Sequence, residues 1–310
     1  VIDVLTFGET MAVLRTEQTG PLRLARSLRL SLAGAESTVA TGLSRLGHTA
    51  RWVGRVGADE FGGLVLDRLR AEQVDVSFAR VDDVAPTGLL VREQRTADVA
   101  RVRYYRSGSA GSRLGPQDLA PALRDGASLV LVSGITPALS ASALAAARSA
   151  VAYAVERSWP VCLDVNYRST LWSREAAAEA LAPMAASAAI VAGDVDELRL
   201  VGGSDPVPAL LAKGVREVVV KDGGRGATVC TAQGSWSMPA VAVTAVDVVG
   251  AGDAFLAGYV SGWLDGLDER GRLGRAVAVA GFAVSCVGDW DGLPTRAELE
   301  LSLRPGTTVR

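Results

Sequence analysis

Val246-Asp247-Val248-Val249-Gly250-Ala251-Gly252-Asp253-Ala254-Phe255 runs from β-branched residues through a glycine turn and an acid into an apolar helix. The first N–H groups of a helix lack partners within it and carry the positive end of its dipole. Gly250 and Gly252 have no Cβ, so an anion can approach that backbone closely. Asp253 follows at once, in reach of whatever reacts with the anion. An anion cradle beside a carboxylate is what transfer of a phosphoryl group to a hydroxyl needs.

Outward from this turn, short β-rich runs alternate with Ala- and Leu-rich helical stretches. The pattern predicts strands at 2–8, 50–56, 128–133, 160–165, 188–192, 216–221 and 227–231. Helices are expected at 35–46, 60–72, 140–157, 173–186, 205–213, 251–264 and 272–286. This alternation argues for a parallel sheet flanked by helices. Leu129–Val132 and Val218–Val220 are apolar throughout, as strands covered on both faces should be. Residues 11–32 and 87–106 break the rhythm and suit a small antiparallel sheet serving as a lid, against a substrate or another subunit. A single catalytic domain spanning 1–310 is the expected organisation.

Hydrophobic residues make up 49% of the 310, which argues against widespread disorder. The net charge is −2 and the basic residues are scattered, so no nucleic-acid surface is expected. Cys162, Cys230 and Cys286 are odd in number and far apart, which excludes a disulfide framework or a metal spacing and fits a reducing cytoplasm. Val1–Gly8 reads as a strand rather than a signal peptide, and no run approaches the roughly 18 apolar residues of a membrane helix. His48, the only histidine, follows Leu46-Gly47 and is expected at a surface turn, which leaves no Ser/His/Asp triad. Gly8-Glu9-Thr10 after the first strand lacks the dinucleotide turn.

Asp247 with Gly250-Ala251-Gly252-Asp253 resembles the carboxy-terminal signature of the ribokinase-like, or PfkB, carbohydrate kinases. Leu32–Ala40, Leu43, Leu46-Gly47 and Val53–Gly62 resemble the amino-terminal signature, in the expected order. The resemblance implies a three-layer α/β/α sandwich with a small β lid, the cofactors ATP and Mg²⁺, and room for a monovalent cation. It also implies a homo-oligomer joined through the lid. Within the family, Gly34–Ser37, Glu93–Thr96, Tyr104–Arg106 and Asp164–Arg168 with Leu171-Trp172 look most like 2-keto-3-deoxygluconate kinases, which act on the C6 hydroxyl of a sugar acid. A neutral ketose such as fructose, or a sugar-acid-binding regulator without catalysis, are the alternatives.

The resemblance assigns roles residue by residue. Asp253 becomes the base for the acceptor hydroxyl, with the N–H groups of Gly250, Ala251 and Gly252 on the transferring phosphate. Standing alone, Asp253 would be only a first-turn acid offsetting the dipole. Lys221, Gly223, Gly224 and Gly226 become the nucleotide loop, where an ordinary glycine hairpin is the plainer reading; no Walker pattern occurs. Gly34, Tyr104, Tyr105, Arg106, Asn166, Arg168 and Asp289 are implied for the substrate. Tyr105 and Arg106 are favoured over Tyr104, because adjacent strand residues face opposite ways. Asp194 and Glu197 stand at the family's Asn-x-x-Glu motif, with Glu197 reaching the metal through water and Asp194 contacting the nucleotide; a pair of acids opening a helix is the plainer reading. Asp194 and Thr38 both depart from the family's usual Asn.

Overall fold

The computed structural model describes residues 1–96 and 99–302, so the last residues of the expected domain, and positions 97 and 98 of the lid stretch, lie outside it. The chain opens with β1 (Ile2–Phe7), β2 (Met11–Thr16), β3 (Leu28–Ala33), α1 (Ala35–Arg45), β4 (Ala50–Val53), β5 (Arg55–Gly57), α2 (Glu60–Ala71), β6 (Arg80–Asp82), β7 (Leu89–Gln94) and β8 (Ala100–Tyr105). Then follow α3 (Pro116–Asp125), β9 (Ala127–Ser133), α4 (Ala141–Glu156), β10 (Val161–Asp164), α5 (Arg174–Ala186), β11 (Ile190–Gly193), α6 (Val195–Gly202) and α7 (Pro206–Ala212). The last elements are β12 (Glu217–Lys221), β13 (Ala227–Thr231), β14 (Gly234–Met238), α8 (Ala251–Leu264), α9 (Glu269–Val284) and α10 (Arg296–Ser302).

The main sheet has eight strands in the order β14-β13-β12-β11-β10-β9-β1-β4. From β12 to β4 all neighbours are parallel, while β13 and β14 extend one edge antiparallel. Successive side chains of a strand point to opposite faces, and each face has its own core. Val4, Leu129, Leu131 and Cys162 join one apolar cluster with Leu43 of α1, Tyr259 of α8 and Leu273 of α9. Their neighbours Leu5, Val130, Val132 and Leu163 join the other, with Leu123 of α3, Ala150 of α4 and Leu181 of α5. Every one of these strand residues is at most 1% exposed, so both faces are covered and the layers are α/β/α.

The lid is a four-stranded sheet in the order β3-β2-β7-β8. It is not wholly antiparallel: β2 and β7 pair parallel, Ala12 against Leu89 and Leu14 against Val91. The chain between them runs through β3, α1, β4, β5, α2 and β6, the kind of long crossover connection that a parallel pair needs. The expected strand at 50–56 breaks at Gly54, where a Cβ would stand 2.2 Å from the Trp52 ring. The β-branched run ahead of α8 is not a strand. Residues 239–249 cross as irregular chain, anchored where the N–H of Val246 donates to the Val284 carbonyl at 2.7 Å.

Candidate active site

Parallel strands gather ligands at their carboxyl ends, and here β10, β11 and β12 end at Asp164, Gly193 and Lys221, beside the amino end of α8. Gly250 caps α8 at φ +75, in the left-handed region, and a Cβ there would lie 2.6 Å from the Asp289 carbonyl oxygen. Only glycine meets both demands. The N–H of Ala251 donates to the Val248 carbonyl at 3.3 Å, so the expected cradle is partly occupied by its own turn. The N–H groups of Gly252 and Asp253 have no acceptor in a preceding turn of helix, and the ladder begins where the N–H of Ala254 donates to the Gly250 carbonyl at 2.8 Å. Gly252 faces Lys221, whose Nζ would be 3.7 Å from a Cβ at that position.

Asp253 occupies the first turn of α8. Burial, then the neighbouring Asp164 carboxylate, push its pKa up to about 6, against the pull of Lys221 and Arg168. A base of that strength suits a proton acceptor near neutral pH better than an ordinary Asp does. Asn166 sits at φ +40 and brings its Nδ2 to 3.5 Å from Asp253 Oδ1, at the outer limit of a hydrogen bond. Lys221 Nζ donates to Asp164 Oδ1 at 2.7 Å. Burial works against the Lys221 ammonium, but Asp164 and Glu197 outweigh it and raise its pKa, so the lysine stays charged beside the cradle.

A cleft of about 1070 Å³ lies between the lid and the main sheet, lined by Gly34, Tyr104, Arg106, Arg168, Asp253 and Asp289 among others. Gly34 precedes α1 where a Cβ would come within 2.8 Å of the Glu9 carbonyl oxygen. Tyr104 rather than Tyr105 faces this cleft. Tyr104 pairs with Leu90, which also lines the cleft, whereas Tyr105 pairs with Leu89 on the opposite face of the lid. The pleat therefore selects Tyr104 and Arg106, reversing the expected preference for Tyr105. Burial, followed by repulsion from Asp253, lifts Asp289 to about 7. Glu36 is likewise raised to about 7 by burial, although the Thr136 hydroxyl donates to it.

The proposed nucleotide residues separate into two places. Lys221 belongs to the cradle, while Gly223–Arg225 form a short exposed 3-10 turn away from the cleft lining. Gly226 closes that turn at φ +113, where a Cβ would strike the Met238 carbonyl oxygen at 2.0 Å. Asp194 caps α6: its Oδ1 accepts from the Glu197 N–H at 2.8 Å, and Glu197 Oε2 accepts from the Asp194 N–H at 2.9 Å. This is a capping box, so the plainer reading of the two acids holds at least in part. Glu197 also takes the Tyr167 N–H at 2.9 Å and, by burial and then by Asp164, is raised above the usual carboxylate range.

Residues 1–296 match the family described as pfkB family carbohydrate kinase. The chain belongs to that family. This carbohydrate kinase is 35% identical over 315 residues to the 2-dehydro-3-deoxygluconokinase of Bacillus subtilis (strain 168), covering 99% of this chain and 97% of the relative. It is 36% identical over 312 residues to the Thermoproteus tenax protein of the same name, covering 98% and 95%. A putative ribokinase II from E. coli, solved in complex with ATP and Mg²⁺, superposes with a TM-score of 0.91 at 22% identity over 98% of this kinase and 99% of that chain. At that identity the likeness is one of fold.

Several residues that shape the kinase's cleft carry little local signal in the sequence. Glu9 is fully buried and holds Arg106 by ion pairs of 2.6 and 2.7 Å, so a candidate carboxylate reader already has a carboxylate. Glu36 and Asp164 lie inside the family signatures, but nothing in their spacing separates them from helix or strand residues. Thr38 is fully buried in α1, and among the described residues its hydroxyl has no hydrogen-bond partner. His48 lies in the turn between α1 and β4, as expected, but is half-buried there rather than at the surface: its side chain is 8% exposed and its Nε2 lies 2.9 Å from Ser261 Oγ. Asp265 approaches the same nitrogen at 3.7 Å, so no relay through the ring exists and the cluster is no triad. Among the described residues no helix is long and apolar enough to cross a membrane.

Proposed function

We propose that this kinase transfers the γ-phosphoryl group of ATP to the terminal C6 hydroxyl of a six-carbon sugar acid, 2-keto-3-deoxygluconate in the first place, giving the 6-phosphate. The observation that carries the reading is Asp253, raised to about 6 beside a glycine-capped helix terminus, in a cleft that also presents Arg168 and Arg106. The hydroxyl oxygen bonds to phosphorus as its proton passes to Asp253, and ADP leaves with the electron pair of the broken bond. Donors at the start of α8 stabilise the charge on the transferring group, and the Lys221 ammonium adds to that field. Arg168 and Arg106 read the acid, Asn166 steadies Asp253, and Tyr104 covers the sugar. Glycines 223, 224 and 226 offer the nucleotide a flat backbone beyond the cradle. The relatives' name and the E. coli neighbour's bound ATP and Mg²⁺ support this assignment.

The donor set fits a magnesium that arrives with the nucleotide. Among the described residues no group of three or more His, Cys, Asp or Glu could hold a metal. Mg²⁺ commonly keeps several waters and binds through substrate phosphates and one or two carboxylates. Both Glu197 oxygens already accept backbone N–H groups, so Glu197 would hold the ion's waters. When bound, the ion supplies charge neutralisation on the phosphates.

One observation favours a neutral ketose instead: Glu9 already balances Arg106. ADP release over a panel of sugar acids and neutral sugars, with and without Mg²⁺ and K⁺, separates the two. The keto-deoxy acid should give the highest kcat/KM, and equal or better turnover of fructose would sink the acid assignment. Asp253→Asn should lose about 10²–10⁴-fold in kcat, the usual contribution of a positioned base. Unchanged activity in that variant would remove Asp253 from the role. Exposed apolar lid residues, among them Leu28, Leu30 and Tyr105, support assembly of copies through the lid.

A further inference from the structure

Arg92 lies on the cleft side of lid strand β7, yet its guanidinium turns to the segment that leads into α8. Its Nη1 donates to Asp247 Oδ2 at 2.6 Å and its Nη2 to Oδ1 at 3.0 Å. That two-pronged geometry fixes orientation as well as charge, which a lysine cannot copy. The Asp247 side chain is only 2% exposed. Its carboxylate also accepts from the N–H of Val249 at 3.2 Å and of Gly288 at 3.4 Å. One carboxylate thus joins the lid through Arg92, the cradle through the residue before Gly250, and the loop carrying Asp289 through Gly288.

We infer that Arg92 is a positioning residue for phosphoryl transfer: acting through Asp247, it sets the turn at 250–252 against Asp289 and couples the place of the lid to the shape of the cradle. The close fit it maintains is visible at Gly250, where a Cβ would lie 2.6 Å from the Asp289 carbonyl oxygen. A displacement of about 1 Å in such a site costs about 10²-fold in rate. Arg92 also supplies the positive charge in an acidic corner. Asp289 faces Asp253 of α8, Asp247, Asp291 of its own loop and Arg92. The inference rests on the reading that 250–253 is the transfer site, and the variants below fail separately from Asp253→Asn.

The test compares Arg92→Met, Arg92→Lys, Asp247→Asn and the double variant Arg92→Met/Asp247→Asn, each assayed below its own unfolding temperature. Arg92→Met should lower kcat about 100-fold while both KM values stay within about threefold, the pattern of an interaction that matters in the transition state. Arg92→Lys keeps the charge without the fork and should recover part of kcat. The double variant should be no slower than the slower single one by more than about twofold, because the two residues act as a unit. The acidic limb of the kcat/KM profile should move to higher pH in Arg92→Met and stay in place in Arg92→Lys. The inference is overturned by a wild-type kcat in Arg92→Met, by losses that multiply in the double variant, or by a loss confined to KM with an unmoved pH limb. Should Arg92→Met not fold, Arg92→Lys decides alone: a lowered kcat at unchanged KM upholds the inference, and wild-type kinetics overturn it.

Discussion

Asp253 works against the stability of the fold that holds it. Its pKa is about 6 in the folded protein against an ordinary 3.8. Between those values the native state binds a proton that the unfolded chain does not, so stability falls as pH rises through this window. Above about pH 6 the ionised carboxylate is a standing penalty; below it the penalty is relieved. Glu36 and Asp289, each raised to about 7, act in the same sense. Asp253→Asn should therefore unfold at a higher denaturant concentration than wild type at pH 8, by about 1–3 kcal/mol, since each tenfold change in proton affinity is worth roughly 1.4 kcal/mol. The gap should shrink toward pH 5 as the wild-type carboxyl takes up its proton. Denaturation without ligands at both pH values checks this, and a less stable variant at pH 8 would show that the carboxylate is compensated. The stabilised variant should be the inactive one, the usual conflict between stability and a working site.

At the scale of the element, the lid shows how far local sequence reaches. The strands at 11–32 and 87–106 were legible, because alternation over a few residues is a local signal. Which of Tyr104 and Tyr105 meets the cleft was not. That choice depends on the phase of the pleat, set by β2 pairing parallel with β7 so that Leu90 and Tyr104 share the cleft face. A one-residue shift reverses every side chain. Tyr104→Ala should raise the sugar KM about tenfold, the loss of an aromatic contact of about 1.4 kcal/mol. Tyr105→Ala should leave KM within about twofold. Equal effects would mean that the lid presents both faces to substrate. The pair Asp194 and Glu197 carries the same lesson, since a capping box and a metal-water motif share one spacing, and only the N–H contacts of 2.8 and 2.9 Å show the cap.

Across the whole molecule, the layers were legible where each contact lies within a short run. Val4 and Leu5 feed opposite cores, as a doubly covered strand demands. The hinge between sheet and lid was not legible, because it is made by residues far apart. Glu9 leaves β1 and meets Arg106 and Ser109, 97 and 100 positions away. Its side chain is wholly buried, and Arg106 is 13% exposed. Removing one partner of a buried ion pair leaves the other charge without compensation and costs about 3–5 kcal/mol. Glu9→Gln should lose about that much by urea denaturation at neutral pH. Glu9→Gln/Arg106→Met should lose less than the sum of the single variants, because it leaves no stranded charge. The hinge also bears on function, since Glu9 holds Arg106 in the corner where the lid meets the sheet. In Glu9→Gln the released guanidinium should raise the sugar KM even at temperatures where the variant is fully folded. If stability and KM both stayed at wild-type values, Glu9 would be a passenger and the lid would be held by its strand pairing and by Arg92 alone.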